Sequence, residues 1–300
     1  GQREGCPART CMRMVTPEDV IATVEALLRQ DDVSPAAAVK ADAAPTALTA
    51  NRVRILGVPI APITWDDLRN LLAEWIAGDR PRQICTANPE FVMVAQRDIH
   101  FYSILNRADL CVADGIGLLW AARWLGSPLP DRITGSDGLP LIAGWAAEAG
   151  WKLFLLGAAE GVAARAADIL RERFPGLRIV GVYAGSPAPA EEDAIVAMVN
   201  ASGADLLFVA YGAPRQDKWI ARNLPRLRVK VAMGIGGTLD FLVGVQRRAP
   251  RGWQRLGLEW LYRLIREPWR WKRMTRLPRF VLAVLWRGAR GPARFEGPEN

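Results

Sequence analysis

The sequence predicts an α/β fold: a mainly parallel sheet flanked by helices, Rossmann-like, with a basic helical appendage at its C-terminal end. Three observations predict it. Short apolar runs bounded by turn residues recur through the middle of the chain, amphipathic helical patterns separate most of them, and the excess positive charge is concentrated after residue 246. Short buried strands alternating with helices are the pattern of a parallel sheet covered on both faces. Three hundred residues, half of them apolar, suffice for one large core or two smaller ones.

Taken in order, the leader offers one helix, with Thr16 as N-cap, Pro17 in the first turn, Asp19 three residues after the cap, and Val20, Ile21, Val24, Leu27 and Leu28 on one face. Residues 31–50 are rich in Ala, Pro and Asp without a period and read as a linker. Val53 to Ile60 then reads as a strand and turn, and Thr64 caps a helix that buries Trp65, Leu68, Leu71, Leu72, Trp75 and Ile76. Strand-like runs follow at 83–87, 110–113, 152–157, 178–182, 205–211 and 229–235, with helical patterns such as 161–173 and 191–200 between them. The chain therefore divides into an accessory helix and linker (1–50), an α/β core (51–246), a basic amphipathic appendage (247–290) and a short tail (291–300).

Composition excludes several classes of chemistry. The single histidine, His100, removes multi-histidine metal sites and makes a Ser-His-Asp triad improbable; on its helix it reads as a surface or packing residue. Four cysteines form no framework: Cys6 and Cys11 fall in the leader, while Cys85 and Cys111 fall in apolar runs that read as buried strands, so free thiols in a reducing compartment are expected. No apolar run approaches the roughly 18–20 residues needed to cross a bilayer, and the start lacks a signal-peptide pattern. Residues 247–290 carry thirteen Arg or Lys against Glu259 and Glu267, a local +11 that leaves the rest of the chain at −3. Such asymmetry points to a polyanionic partner: lipid, nucleic acid or a phosphate-rich ligand.

In parallel sheets ligands bind beyond the carboxyl ends of the strands, where this chain is rich in polar residues. Asp114, at a strand end and followed by Gly115 and Gly117, is the strongest acid/base candidate, a helix-capping Asp being the alternative. Asp240 faces the same two readings. The loop 157–161 lacks the middle glycine of a dinucleotide fingerprint and reads better as a tight strand-to-helix turn. Walker A and D-x-D sequences are both missing, so Arg132, Arg215 and the tail arginines are the cations available to a departing diphosphate.

Seven segments in order and spacing carry a family resemblance: Thr86-Ala87-Asn88-Pro89, Ala113-Asp114-Gly115, Arg132 to Asp137, Gly212 to Asp217, Gly236 to Phe241, Arg248-Ala249-Pro250 and Leu258 to Leu264. Over roughly Arg54 to Phe280 the chain resembles the WecG/TagA/CpsF glycosyltransferases, family 26 of the glycosyltransferase classification. The resemblance implies an inverting hexosyl transfer from a nucleotide sugar, typically UDP-linked, to a saccharide on a polyprenyl diphosphate, in making a surface polysaccharide or cell-wall polymer. It implies Asp114 as general base, Thr86, Asn88, Arg132, Gly212, Gln216 and Asp240 as substrate-binding residues, and Arg263, Arg270 and Arg273 as tail residues that close over the site. It implies no metal and no cofactor. Two departures stand out: Asp217 replaces a glutamate common after the glutamine, and Ser186-Pro187 replace an aromatic pair near Gly185.

The tail suits an amphipathic segment on an anionic leaflet, with Trp260, Leu261, Leu264 and Ile265 on one helical face and Trp269, Trp271, Phe280, Val281, Leu282 and Trp286 beyond; Trp260 and Leu264 could equally pack on the core. The expected partners are a nucleotide-sugar donor, a lipid-linked acceptor and an anionic membrane surface, at a cytoplasmic location on the inner face of the cell membrane. Nucleic acid is not expected, and a homo-oligomer is left open. The competing readings are a nucleic-acid-binding protein with a basic aromatic tail, which leaves the polar strand ends unexplained, and an NAD-dependent oxidoreductase, which the incomplete glycine fingerprint disfavours.

Overall fold

The computed structural model describes residues 51–245, 249–250, 252–253, 259–266, 275–288 and 290, with the backbone alone at Glu259 and Arg263. The leader helix, Cys6 and Cys11 lie outside the described residues, as do Trp269, Trp271, Arg270 and Arg273.

The described residues begin with an antiparallel hairpin, β1 (Val53–Ile55) and β2 (Val58–Ile60), turned at Leu56-Gly57. Expected as one strand and turn, this stretch stays outside the main sheet. Helix α1 (Trp65–Ala77) follows, and its start obeys local chemistry: Thr64 Oγ1 accepts from Asp67 N at 3.1 Å, while Thr64 N donates to Asp67 Oδ2 at 2.9 Å. The bond from Thr64 N, with a second from Thr64 Oγ1 at 2.8 Å, holds the Asp67 carboxyl below its ordinary value. Leu68, Leu71, Leu72 and Trp75, at helical spacing, form its buried face.

The core then runs β3 (Arg82–Ala87), α2 (Pro89–Ala95), α3 (Ile99–Arg107), β4 (Leu110–Ala113), α4 (Ile116–Trp124), α5 (Gly135–Ala149), β5 (Lys152–Gly157), α6 (Val162–Arg173), β6 (Arg178–Tyr183), α7 (Pro189–Ser202), β7 (Leu206–Ala210), α8 (Arg215–Asn223), β8 (Val231–Gly234) and α9 (Thr238–Leu242). The six strands form one sheet in the order β4-β3-β8-β7-β5-β6, every pairing parallel. Buried on both sides except at the edge strand β6, they read as continuous apolar runs rather than alternating ones. One face packs on α1, α5, α6 and α9 through a cluster holding Leu72, Ile84, Leu139, Leu155, Ala166 and Leu239. The other packs on α2, α3, α4, α7 and α8 through clusters around Phe101, Leu118, Val199 and Trp219. Cys85 and Cys111 are buried register partners and free thiols, as expected; His100 is exposed.

Two further helices are described, α10 (Glu259–Arg266) and α11 (Arg276–Arg287). In α10, Trp260 and Ile265 are exposed, Leu264 is half-buried, and Tyr262 meets Trp253 edge-on at 5.8 Å. The tail expectation needs a correction at α11. Phe280, read as a membrane residue, is buried together with Val284 in the cluster that also holds Phe91, Phe101, Cys111 and Leu118. The end of α11 is tied to the opening hairpin, Leu56 N donating to Gly288 O at 3.1 Å.

Candidate active site

The helices after β3 cover one face of the sheet and the helix after β8 covers the other, so the chain diverges at the carboxyl ends of these adjacent strands. A crevice opens at such a switch point. Backbone pairing between the two strands runs as far as Ile84 and Met233, and the Thr86 hydroxyl carries the connection one step further by donating to Gly234 O at 3.0 Å.

Five segments meet there. Asp114 N donates to Ala87 O at 2.6 Å, holding the end of β4 against the end of β3, and Ile133 N donates to Ala113 O at 2.9 Å, bringing in the segment before α5. The first turn of α5 lies against β8: a methyl group on Gly135 would stand 3.3 Å from the Ile235 backbone and 3.4 Å from Thr238 Oγ1. The loop after β7 joins through Gln216, whose Oε1 accepts from Gly236 N at 2.9 Å.

Asp114 is partly exposed on this rim. Gly115, the N-cap of α4, has φ 129°, a conformation that a side chain resists, so the chain turns sharply after the aspartate. Asn88 caps α2, its Oδ1 accepting from Phe91 N at 3.0 Å. Arg132 lies 4.0 Å from Asp137, and Thr134 caps α5 by accepting from Asp137 N at 3.0 Å. Gly212, at φ 73°, has open space where a side chain would stand. Asp240 sits in the first turn of α9, and burial raises its carboxyl above the ordinary value. Arg263 lies on α10 with only its backbone described; Arg270 and Arg273 lie outside the described residues.

Two of the expected substrate-binding residues are buried and hydrogen-bonded within the protein. Thr86 is buried with its hydroxyl donated to Gly234, and Gln216 is only 1 % exposed with its oxygen on Gly236. Both shape the rim from beneath. Gly234 is required for that packing, since a Cβ there would lie 2.4 Å from Gln216 Nε2. Beside them Asp217 is fully buried, both carboxylate oxygens without a hydrogen-bond partner, and loss of hydration pushes its pKa up to about 7 against small opposing effects of Cys85 and Gln216. The sequence marked Asp217 only as a shorter carboxylate. The 157–161 loop is a tight turn packed on Ala210, as expected.

The sequence profile of the glycosyl transferase WecG/TagA/CpsF family matches residues 53–294, which spans every segment that meets at this rim. The chain belongs to that family. It is 36 % identical over 202 residues to a Bacillus spizizenii protein named N-acetylglucosaminyldiphosphoundecaprenol N-acetyl-beta-D-mannosaminyltransferase, covering 67 % of this chain and 78 % of the relative. A Staphylococcus aureus protein of the same name is 32 % identical over 228 residues, covering 75 % of this chain and 88 % of the relative. As a glycosyltransferase of this family, the chain presents on its rim a carboxylate able to accept a proton (Asp114), a guanidinium (Arg132), and the N-terminus of a 15-residue helix able to receive negative charge.

Proposed function

We propose that this glycosyltransferase moves a sugar, with inversion, from a UDP-linked donor to the saccharide hydroxyl of a polyprenyl-diphosphate-linked acceptor in building a cell-surface or cell-wall polymer. The observation that carries the reading is the place of Asp114: a partly exposed carboxylate at the end of β4, pinned to the end of β3 and followed by a glycine turn. The relatives' printed names support the lipid-linked acceptor and make N-acetylmannosamine the first donor sugar to try.

In this mechanism Asp114 takes the proton of the attacking hydroxyl as its oxygen bonds to the anomeric carbon. The bond from that carbon to the diphosphate breaks, and UDP leaves with the electron pair. Arg132 and the amides at the start of α5 stabilise the departing charge, with Arg263, Arg270 and Arg273 of the tail adding theirs. Gly212 lets the diphosphate approach the backbone, Asn88 orients the acceptor, and Asp240 binds the nucleoside edge. Thr86 and Gln216 position the two loops without touching the ligand. The basic tail holds the enzyme on an anionic membrane surface, at the cytoplasmic face where nucleotide sugars are made. No helix among the described residues is long and apolar enough to cross a membrane.

The test is a transfer assay with a panel of UDP-sugars and a short-chain lipid carrying diphosphate-linked N-acetylglucosamine. One UDP-sugar is expected to give a β-linked disaccharide lipid. Absence of transfer from every nucleotide sugar, with no effect of UDP on the melting temperature, would refute the reading.

A further inference from the structure

Two helices leave apolar faces uncovered. On α4 the exposed residues Ile116, Trp120 and Trp124 recur every fourth position, and the two indoles stack at 6.3 Å and 17°. On α11 Val281, Leu282, Leu285 and Trp286 form a second ridge, with Leu282 65 % and Trp286 91 % exposed. Burial of such groups is favourable in proportion to area, so side chains this open await a cover.

α11 packs chiefly on α2 and approaches α4 at two points. Their inner residues, Leu118, Ala121 and Ala122 from α4 and Phe280 and Val284 from α11, share one core cluster. A methyl on Gly117 would stand 3.8 Å from the Phe280 ring, and one on Gly288 would stand 3.3 Å from Leu125. The equal sequence offset of these two contacts makes the helices run the same way, so their outer ridges form one surface. Neither helix contains a carboxylate, whereas Arg123, Arg279 and the following Arg290 are exposed among the apolar groups. Positive charge interleaved with tryptophan and aliphatic residues is complementary to an anionic phospholipid surface. The surface also begins at the chemistry, because α4 starts two residues after Asp114.

We infer that the outer faces of α4 and α11 together form the surface that docks on an anionic bilayer, so that the core helix following Asp114, and not the C-terminal tail alone, contacts lipid. The inference rests on the membrane-surface reading above. It gives the acceptor a short route: the lipid stays in the bilayer under α4 while its headgroup sugar reaches Asp114 at the start of the same helix.

The experiment compares the full chain with the pair Trp120→Ser/Trp124→Ser on α4 and the pair Leu282→Ser/Trp286→Ser on α11. Each is sedimented with phosphatidylcholine vesicles with and without phosphatidylglycerol, and assayed on a water-soluble and a vesicle-embedded acceptor. Each pair is expected to lower affinity for the anionic vesicles about tenfold or more. Transfer to the embedded acceptor should fall in parallel, with transfer to the soluble acceptor and the melting temperature unchanged. Wild-type binding by the α4 pair overturns the inference while leaving a tail anchor in place. No binding of the unaltered chain to anionic vesicles overturns the membrane reading itself. A dimer of the unaltered chain that the α4 pair dissolves, with vesicle binding untouched, assigns the surface to a second copy and also overturns the inference.

Discussion

Asp114 and Asp217 stand in two motifs of one strand rim, yet their surroundings differ in almost every respect. Asp114 follows β4 on a turn that leaves it partly open, its backbone amide bonded to Ala87. Asp217, in the first turn of α8, is sealed under the same rim with both oxygens unpaired and its pKa raised to about 7 by lost hydration. On the proposed function the carboxylate that water can reach serves the chemistry, and the one sealed beneath it sets the energy of the fold. Motif membership does not separate the two, whereas burial does.

The contrast breaks most sharply on activity. Asp114→Asn is expected to lower kcat about 10²–10⁴-fold, the usual share of a general base, with an unchanged melting temperature; a variant turning over near the unaltered rate would remove Asp114 from the role. Asp217→Asn is expected to keep turnover within a few-fold in the same assay.

On stability the order reverses. The unfolded chain releases the Asp217 proton near 3.8 and the folded chain near about 7, so between those values the unfolded state binds fewer protons. Stability therefore falls as pH rises through that window and levels off above about 7. At about 1.4 kcal/mol per pH unit the loss has a ceiling of about 4 kcal/mol. Asp217→Asn should abolish that fall, making the variant more stable than the parent near pH 8 and little different near pH 4 by urea unfolding. Parallel curves for the two proteins would show that Asp217 does not carry the effect.

Smaller changes sharpen the division between rim and support. Gly234→Ala forces a Cβ onto the buried Gln216 carboxamide, which cannot swing away without releasing Gly236. It should cost about 1–3 kcal/mol in urea unfolding and weaken UDP binding by calorimetry. Thr86→Val removes the hydroxyl donated to Gly234 and should cost about 1 kcal/mol, with a modest rise in KM. A Thr86→Val protein of parental stability that loses all UDP binding would return Thr86 to the ligand.

The order of elements was legible because each rests on local chemistry. Thr64 and Asp67 form the predicted helix start, and the runs at 110–113 and 152–157 are strands with those bounds. The turn after Asp114 was legible because two close glycines after an apolar run mark a sharp passage from strand to helix. The burial of Thr86 and Gln216 was harder to read: along a strand neighbouring side chains point to opposite faces, so a one-residue difference moves Thr86 between crevice and interior, while Gln216 turns inward with the first turn of α8. Phe280 shows the same limit in the tail, since an apolar position on a basic helix suits core and lipid equally until the partner surface is known. The Trp120 and Trp124 pair was present at a spacing of four, but in an apolar helix that spacing also describes a buried face.

On the proposed function the diverging ends of β3 and β8, with Asp114 beside them, form the nucleotide-sugar site. Hydrogen–deuterium exchange of the full chain with and without UDP tests it most directly. Slowed exchange is expected at Gly212 and Ala213, at Gly236 and Gly237, and in the first turn of α5. Protection confined to other regions, or none at saturating UDP, would contradict it.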